Sequence, residues 1–330
     1  MAIIGRRRLI AGLGSVAAWP LVARTQQSMP VIGFLSDVTP ETFTRSLMGF
    51  RRGLSETGFN ENQNLAIEYH WARGHYDMVP DLAADLVRRQ VAVIVTSGSE
   101  NVTRAAMAAT KTIPIVAMLA GDPVKRGIVT SVNRRGGNVT VVSLFTFSNN
   151  ALVAKRVELA HQLVPKATVV GWFVDSHILD YDDQLSDLQG ATQALGLELK
   201  VAQVARESDL DGAFELLAGQ GAGIILETGP VFFSHRAQVI TLGASKSLPV
   251  IYEWRDFVSD GGLMSYGTDR AEVTRLAGLY VGRILKGEKV SEMPIVQPDK
   301  YELLINVKAA KALGLTIPDK LLALAEEVIE

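Results

Sequence analysis

Short apolar runs alternate with amphipathic stretches along this chain, and the alternation occurs twice. Val31–Leu35 precedes Thr42–Thr57, which Gly58 ends; Asn64–Trp71 precedes Met78–Arg89; Val91–Val95 precedes Ser99–Thr110; Ile113–Leu119 follows. Short β-rich runs separated by helical patterns predict βαβ units and a parallel sheet. The near-continuous Val and Ile content predicts strands covered on both faces. The order then repeats roughly 135 residues further on, the mark of an internal repeat. Val169–Val174 matches Val31–Leu35, Leu197–Val204 matches Leu65–Ala72, Ala222–Gly229 matches Val91–Gly98, and Leu248–Ile251 matches Ile113–Val116. The expected fold is therefore α/β: two similar doubly wound parallel-sheet lobes joined by a hinge.

Paired glycines beside short strands suit segments that bend between such lobes. Two candidate crossings are Gly136–Thr140 and Gly261–Gly267, and a third lies near Pro294–Pro298. Each taken alone also fits an ordinary hairpin or loop. The expected boundaries put residues 26–137 with about 267–292 in lobe 1. Residues 138–266 with about 293–315 form lobe 2, and 316–330 form a C-terminal helix.

The N-terminus has a different character. Arg6-Arg7-Arg8 precede the uncharged Leu9–Ala23, and small residues and Gln26-Gln27 follow. A basic start, a short apolar middle and a small-residue exit predict a secretory signal peptide, cut near Thr25/Gln26. Fifteen residues span only about 22 Å as a helix, short of the ~30 Å hydrocarbon core, and Pro20 interrupts them. Arg6-Arg7-x-Leu9-Ile10 also fits a twin-arginine signal. A periplasmic location follows as the expectation.

Composition narrows the function. The 330 residues carry a net charge of −2, with 48% hydrophobic and 21% charged residues. Such a chain can build a large core, and it lacks the cationic excess of a nucleic-acid binder. The absence of cysteine excludes disulfides, thiolate metal sites and cysteine nucleophiles. No phosphate loop, H-E-x-x-H or G-x-S-x-G occurs. The five histidines are scattered, and the nearest pair, His70 and His75, has solvated or locally bonded side chains as its simpler reading. We expect no catalytic residue, no metal and no cofactor.

The informative positions lie after the apolar runs, because ligands of open α/β sheets bind beyond the C-terminal strand ends. Ser36 and Asp37 follow the first run. Thr96, Ser97, Gly98 and Ser99 follow the third and open a helix whose free N–H groups suit a carboxylate; simple N-capping is the alternative. Asp122 follows the fourth, where Gly121-Asp122-Pro123 also makes a turn unaided. In the second half, Asp175, Glu227 and Thr228 could receive an ammonium or hydroxyl, and Tyr252, Trp254 and Tyr266 could stack on a planar ligand. Solvated acids and core aromatics are the alternatives.

These segments also carry a family likeness. Ile32-Gly33-Phe34-Leu35-Ser36, Phe50-Arg51-Arg52-Gly53-Leu54, Asn64–Tyr69, Ile113-Pro114-Ile115-Val116 and Gly121-Asp122-Pro123-Val124 belong to it. So do Gly136–Thr140, Gly261–Gly267, Ile284-Leu285-Lys286-Gly287 and Ala310–Pro318, together with the N-terminal Arg6-Arg7-Arg8, Ala17–Pro20 and Gln26-Gln27. Over nearly its whole length the sequence resembles the ABC-transporter substrate-binding proteins of the tryptophan/tyrosine-binding type. The resemblance implies a type I periplasmic binding fold and delivery of a small solute to a membrane permease. The expectation is a monomeric, non-enzymatic receptor for a carboxylated or zwitterionic solute, with aromatic or amino-acid-like compounds among the candidates. The rivals are an exported sensing module for a membrane receptor and a secreted α/β enzyme using cleft acids.

Overall fold

The structure is a computed structural model describing residues 29–130, 137–145, 149–298 and 300–330. The expected signal peptide lies outside the described residues, as does Gly136. The first half runs β1 (Val31–Ser36), α1 (Thr44–Glu56), β2 (Ala66–Trp71), α2 (Val79–Arg88), β3 (Val93–Ser97), α3 (Glu100–Ala109), β4 (Ile115–Leu119), β5 (Val139–Ser143). The second runs α4 (Asn149–Leu163), β6 (Val169–Asp175), α5 (Tyr181–Ala194), β7 (Glu198–Val204), α6 (Leu210–Gly219), β8 (Ile224–Thr228), α7 (Pro230–Ser234), α8 (Arg236–Ser245), β9 (Val250–Tyr252), α9 (Arg255–Ser259), β10 (Met264–Gly267). The chain ends with α10 (Arg270–Leu285), β11 (Glu302–Asn306), α11 (Val307–Ala312), α12 (Asp319–Leu324) and β12 (Glu327–Ile329).

Two sheets form. The first has the order β2-β1-β3-β4-β5 and is parallel throughout. The second has the order β12-β11-β10-β9-β8-β6-β7, with β10 and β11 antiparallel. Read from its far edge, β7-β6-β8-β9-β10 repeats the first sheet's order, so the four sequence matches name equivalent strands. The apolar runs are explained by double coverage: β3 and β4 are buried at every position, whereas edge strand β2 is half-buried throughout. Trp172, Phe34 and Phe173 are wholly buried, each contributing about 1.5–3 kcal/mol by removing apolar surface from water.

The topology corrects three expectations. Val139–Ser143 pairs with β4, so residues 139–143 belong to the first sheet and not to lobe 2, and Gly136–Thr140 is no crossing. The chain leaves the first sheet only after Ser143, and it returns after Gly267 because α10 packs on α1. Gly53 allows that contact: a Cβ there would stand 1.9 Å from the Arg275 carbonyl oxygen. Third, residues 316–330 are not one helix. Pro318 is the extended cap residue of the short helix α12, which ends at Leu324, and Glu327–Ile329 pairs in parallel with β11. Val296 bridges to Val142 where the chain passes towards β11.

Candidate functional site

The C-terminal ends of β1, β3 and β4 face those of β6, β8 and β9 across a crevice. Each wall is built by the same local device. Asp37, just beyond β1, accepts the Ser99 backbone N–H at 3.3 and 3.1 Å through its two oxygens. Asp175, the last residue of β6, accepts the Val231 N–H at 3.0 Å and the His177 N–H at 2.9 Å. The intervening glycines, Gly98 and Gly229, have φ of 104° and 127°. A Cβ would stand 1.8 Å from Asp37 Oδ1 at the first and 2.3 Å from Asp175 Cβ at the second. Only glycine meets both demands. Burial pushes the Asp37 carboxyl up to about 6; the Ser99 donors oppose the shift and the Asp175 charge adds to it.

Bonds from both lobes close the crevice. The Tyr76 hydroxyl donates to Asp175 Oδ2 at 2.8 Å, and its ring stacks on His177 with centroids 3.9 Å apart. Asn101 Nδ2 donates to the His177 carbonyl at 2.9 Å, and Lys125 pairs with Asp183 at 2.7 Å. Arg126 joins Glu100 of its own lobe at 2.5 Å to Asp180 of the other.

Behind these bridges lies a cavity of about 80 Å³. Ser99, Leu119 and Phe145 line it from the first half of the chain, and Ile178, Gln184 and Trp254 from the second. Arg270, at the start of α10, completes it. Its guanidinium lies over Phe233 at 4.2 Å and over Phe43 and Trp254 at 5.0 Å each. Burial lowers its pKa to about 10, with Asp256, Asp37 and Glu253 opposing, so it remains cationic at neutral pH. Deeper in the second lobe, Arg156 pairs with Glu253 at 2.7 Å and donates to the Tyr266 carbonyl at 2.8 Å. Glu227 accepts the Glu253 N–H at 3.0 Å, and burial raises the pKa of both acids.

Of the residues singled out by sequence, Gly98, Ser99, Thr228 and Trp254 line this cavity. Asp37 lies at another mouth of the crevice, with His75, His177 and His235. Asp175 is consumed by its own lobe's turn and by Tyr76. Ser36 and Ser97 are buried strand residues, and Thr96 bonds Thr103 at 2.8 Å. Asp122 caps its turn by accepting the Val124 N–H at 2.8 Å. Tyr252 stacks on Phe257 and Tyr266 on Tyr301, both outside the cavity lining. Arg126, Arg270, Phe145 and Phe233 are among the lining residues that sequence reasoning missed.

Two α/β lobes of one strand order, with a crevice between their C-terminal strand ends, define a two-lobed binding protein of the type I periplasmic class. Residues 35–329 match the family described as ABC transporter substrate binding protein, and the chain belongs to it. It is 25% identical over 284 residues to the tyrosine-binding protein of Clostridioides difficile (strain R20291), covering 86% of this chain and 81% of that one. It resembles the crystal structure of an ABC domain in complex with L-Trp from Streptococcus pneumonia, with TM-score 0.81, 24% identity and coverage of 92% of this chain and 100% of that one. The ligand-free, open structure of a substrate-binding protein with adhesive properties from Clostridium difficile gives TM-score 0.62, at 24% identity and coverage of 91% and 99%. Among the described residues, no helix is long and apolar enough to cross a membrane.

Proposed function

We propose that this protein is the exported solute receptor of an ABC importer, closing its lobes on a small carboxylated or zwitterionic compound and presenting it to a membrane permease. The observation that carries this reading is the cavity itself, walled from both halves of the chain and bridged by Tyr76–Asp175, Asn101–His177 and Arg126–Asp180. A solute there makes its full set of contacts only when the lobes are together, so it favours the closed state by its differential affinity. The aromatic residues Phe145, Phe233 and Trp254 in an otherwise mixed polar and apolar lining, and relatives named for tyrosine and bound to L-Trp, support amino-acid-like aromatic ligands. The protein acts as a monomer in the periplasm, without catalysis and without a cofactor.

A thermal-shift screen of L-amino acids and aromatic acids tests the reading. A true ligand at 100 times its Kd stabilises by about 2.7 kcal/mol. The expected result is a saturable shift with the compound recovered unchanged. Turnover of the bound compound would favour the enzyme reading, and no shift across the library would refute the receptor.

A further inference from the structure

We propose that Arg270 is the receptor for the solute's carboxylate. The inference rests on the solute-receptor reading and specifies which end of the solute meets which residue. The helix turn at Thr96–Ser99 looks from sequence like the anion site, but the Ser99 amide already serves Asp37. The Ser99 hydroxyl also lies beside the Asp37 carboxylate, so neither Ser99 donor is left over for a solute.

Arg270 is the cavity-wall donor left without an acceptor. It is 4% exposed and lines the same cavity, and its Nε has no acceptor. Among the described residues no carboxylate lies within the 4.0 Å ion-pair distance of its guanidinium. The other lining cation, Arg126, is committed to Glu100 and Asp180. Three aromatic rings lie around the Arg270 guanidinium, an arrangement that offsets part of the desolvation while leaving the Nε–H at its edge without an acceptor. A planar carboxylate matches that edge, and the bidentate pair is the strongest form of such a bond. Phe43 belongs to the first half and Phe233 and Trp254 to the second, so the cage assembles only when the lobes meet. A carboxylate on Arg270 thus reports closure directly.

Matched acid and amide probes provide the test: L-tryptophan against L-tryptophanamide, L-tyrosine against L-tyrosinamide, and L-leucine against L-leucinamide, by calorimetry on the full chain. The proposal expects an acid of the panel to bind roughly 10- to 100-fold more tightly than its amide, the value of a charge-assisted bond. Arg270→Gln should erase that difference by weakening the acid alone. Arg270→Lys, which keeps the charge and loses the fork, should restore part of it. If Arg270→Gln fails to fold, the unmodified protein still decides through the acid–amide comparison. Amides binding as tightly as acids, or Arg270→Gln folding and binding acids as before, would overturn the assignment and leave the receptor intact. No binding by any of the six would overturn both together.

Discussion

Asp37 and Asp175 are structural equivalents, each at the end of the first strand of its sheet and each accepting a backbone amide from beyond a left-handed glycine. The two carboxylates stand on opposite walls of the crevice, and the Asp175 charge adds to the cost of ionising Asp37. One device, used twice, shapes both walls of the site.

The glycines should be intolerant of even one methyl group. Gly98→Ala and Gly229→Ala each drive a Cβ into an aspartate that cannot move without losing its amide. Each should cost about 2 kcal/mol or more in urea unfolding. Gly190, on α5 with nothing within 4 Å of an added Cβ, is the control, and Gly190→Ala should stabilise by about 0.5–1 kcal/mol. Equal effects at all three positions would contradict the account.

Asp37 makes stability depend on pH in a stated direction. Its folded pKa is about 6 against an ordinary 3.8, so between these values the folded state holds a proton that the unfolded state has released. Its contribution is therefore present below about pH 4 and lost as pH rises through 6, at about 3 kcal/mol for a shift of roughly two units. Asp37→Asn keeps an acceptor for the Ser99 amide and should flatten the stability profile from pH 4 to 7. An unchanged slope in denaturant titrations would refute this.

The Tyr76 hydroxyl is a bond across the lobes. Tyr76→Phe keeps the ring on His177 and removes the donor to Asp175. The closed state should lose about 1–1.5 kcal/mol, so calorimetry should read solute affinity roughly tenfold weaker with little change in global stability. Unchanged affinity would show that the latch does not contribute to closure.

Arg156 holds the second wall. Its removal strands the buried Glu253 beside Glu227, so Arg156→Met should cost about 3–5 kcal/mol. The double variant Arg156→Met/Glu253→Met should recover much of that loss, because no unpaired charge remains. A double variant less stable than the single one would contradict the pairing argument.

The strands and their repeat were legible because doubly covered strands must be apolar, and Val31–Leu35 and Val169–Val174 show it without help from context. Val139–Ser143 carries the same signal, yet the paired glycines before it read as a boundary; only its pairing with β4 shows which sheet it joins. Strand ends pointed to the crevice, and Ser99 and Trp254 stand there. The acids were harder to place. Asp37 and Asp175 look like ligand groups from their position, but the turns beyond Gly98 and Gly229 use their oxygens. Arg270 was invisible for the opposite reason. A cation in the first turn of a helix reads as solvated, and its cage comes from Phe43, Phe233 and Trp254, which no local pattern unites.

The central claim, that a solute draws two similar lobes together, is tested most directly by a distance between them. Asp77 and Ser208 are exposed, one on each lobe, and the chain has no cysteine, so Asp77→Cys/Ser208→Cys supplies the only thiols for a spin-label pair. Double electron–electron resonance should show a broad distance distribution without solute, collapsing to a single short distance as a stabilising solute is added. A distribution that stays unchanged at saturating concentrations of a solute proven to bind would contradict the account.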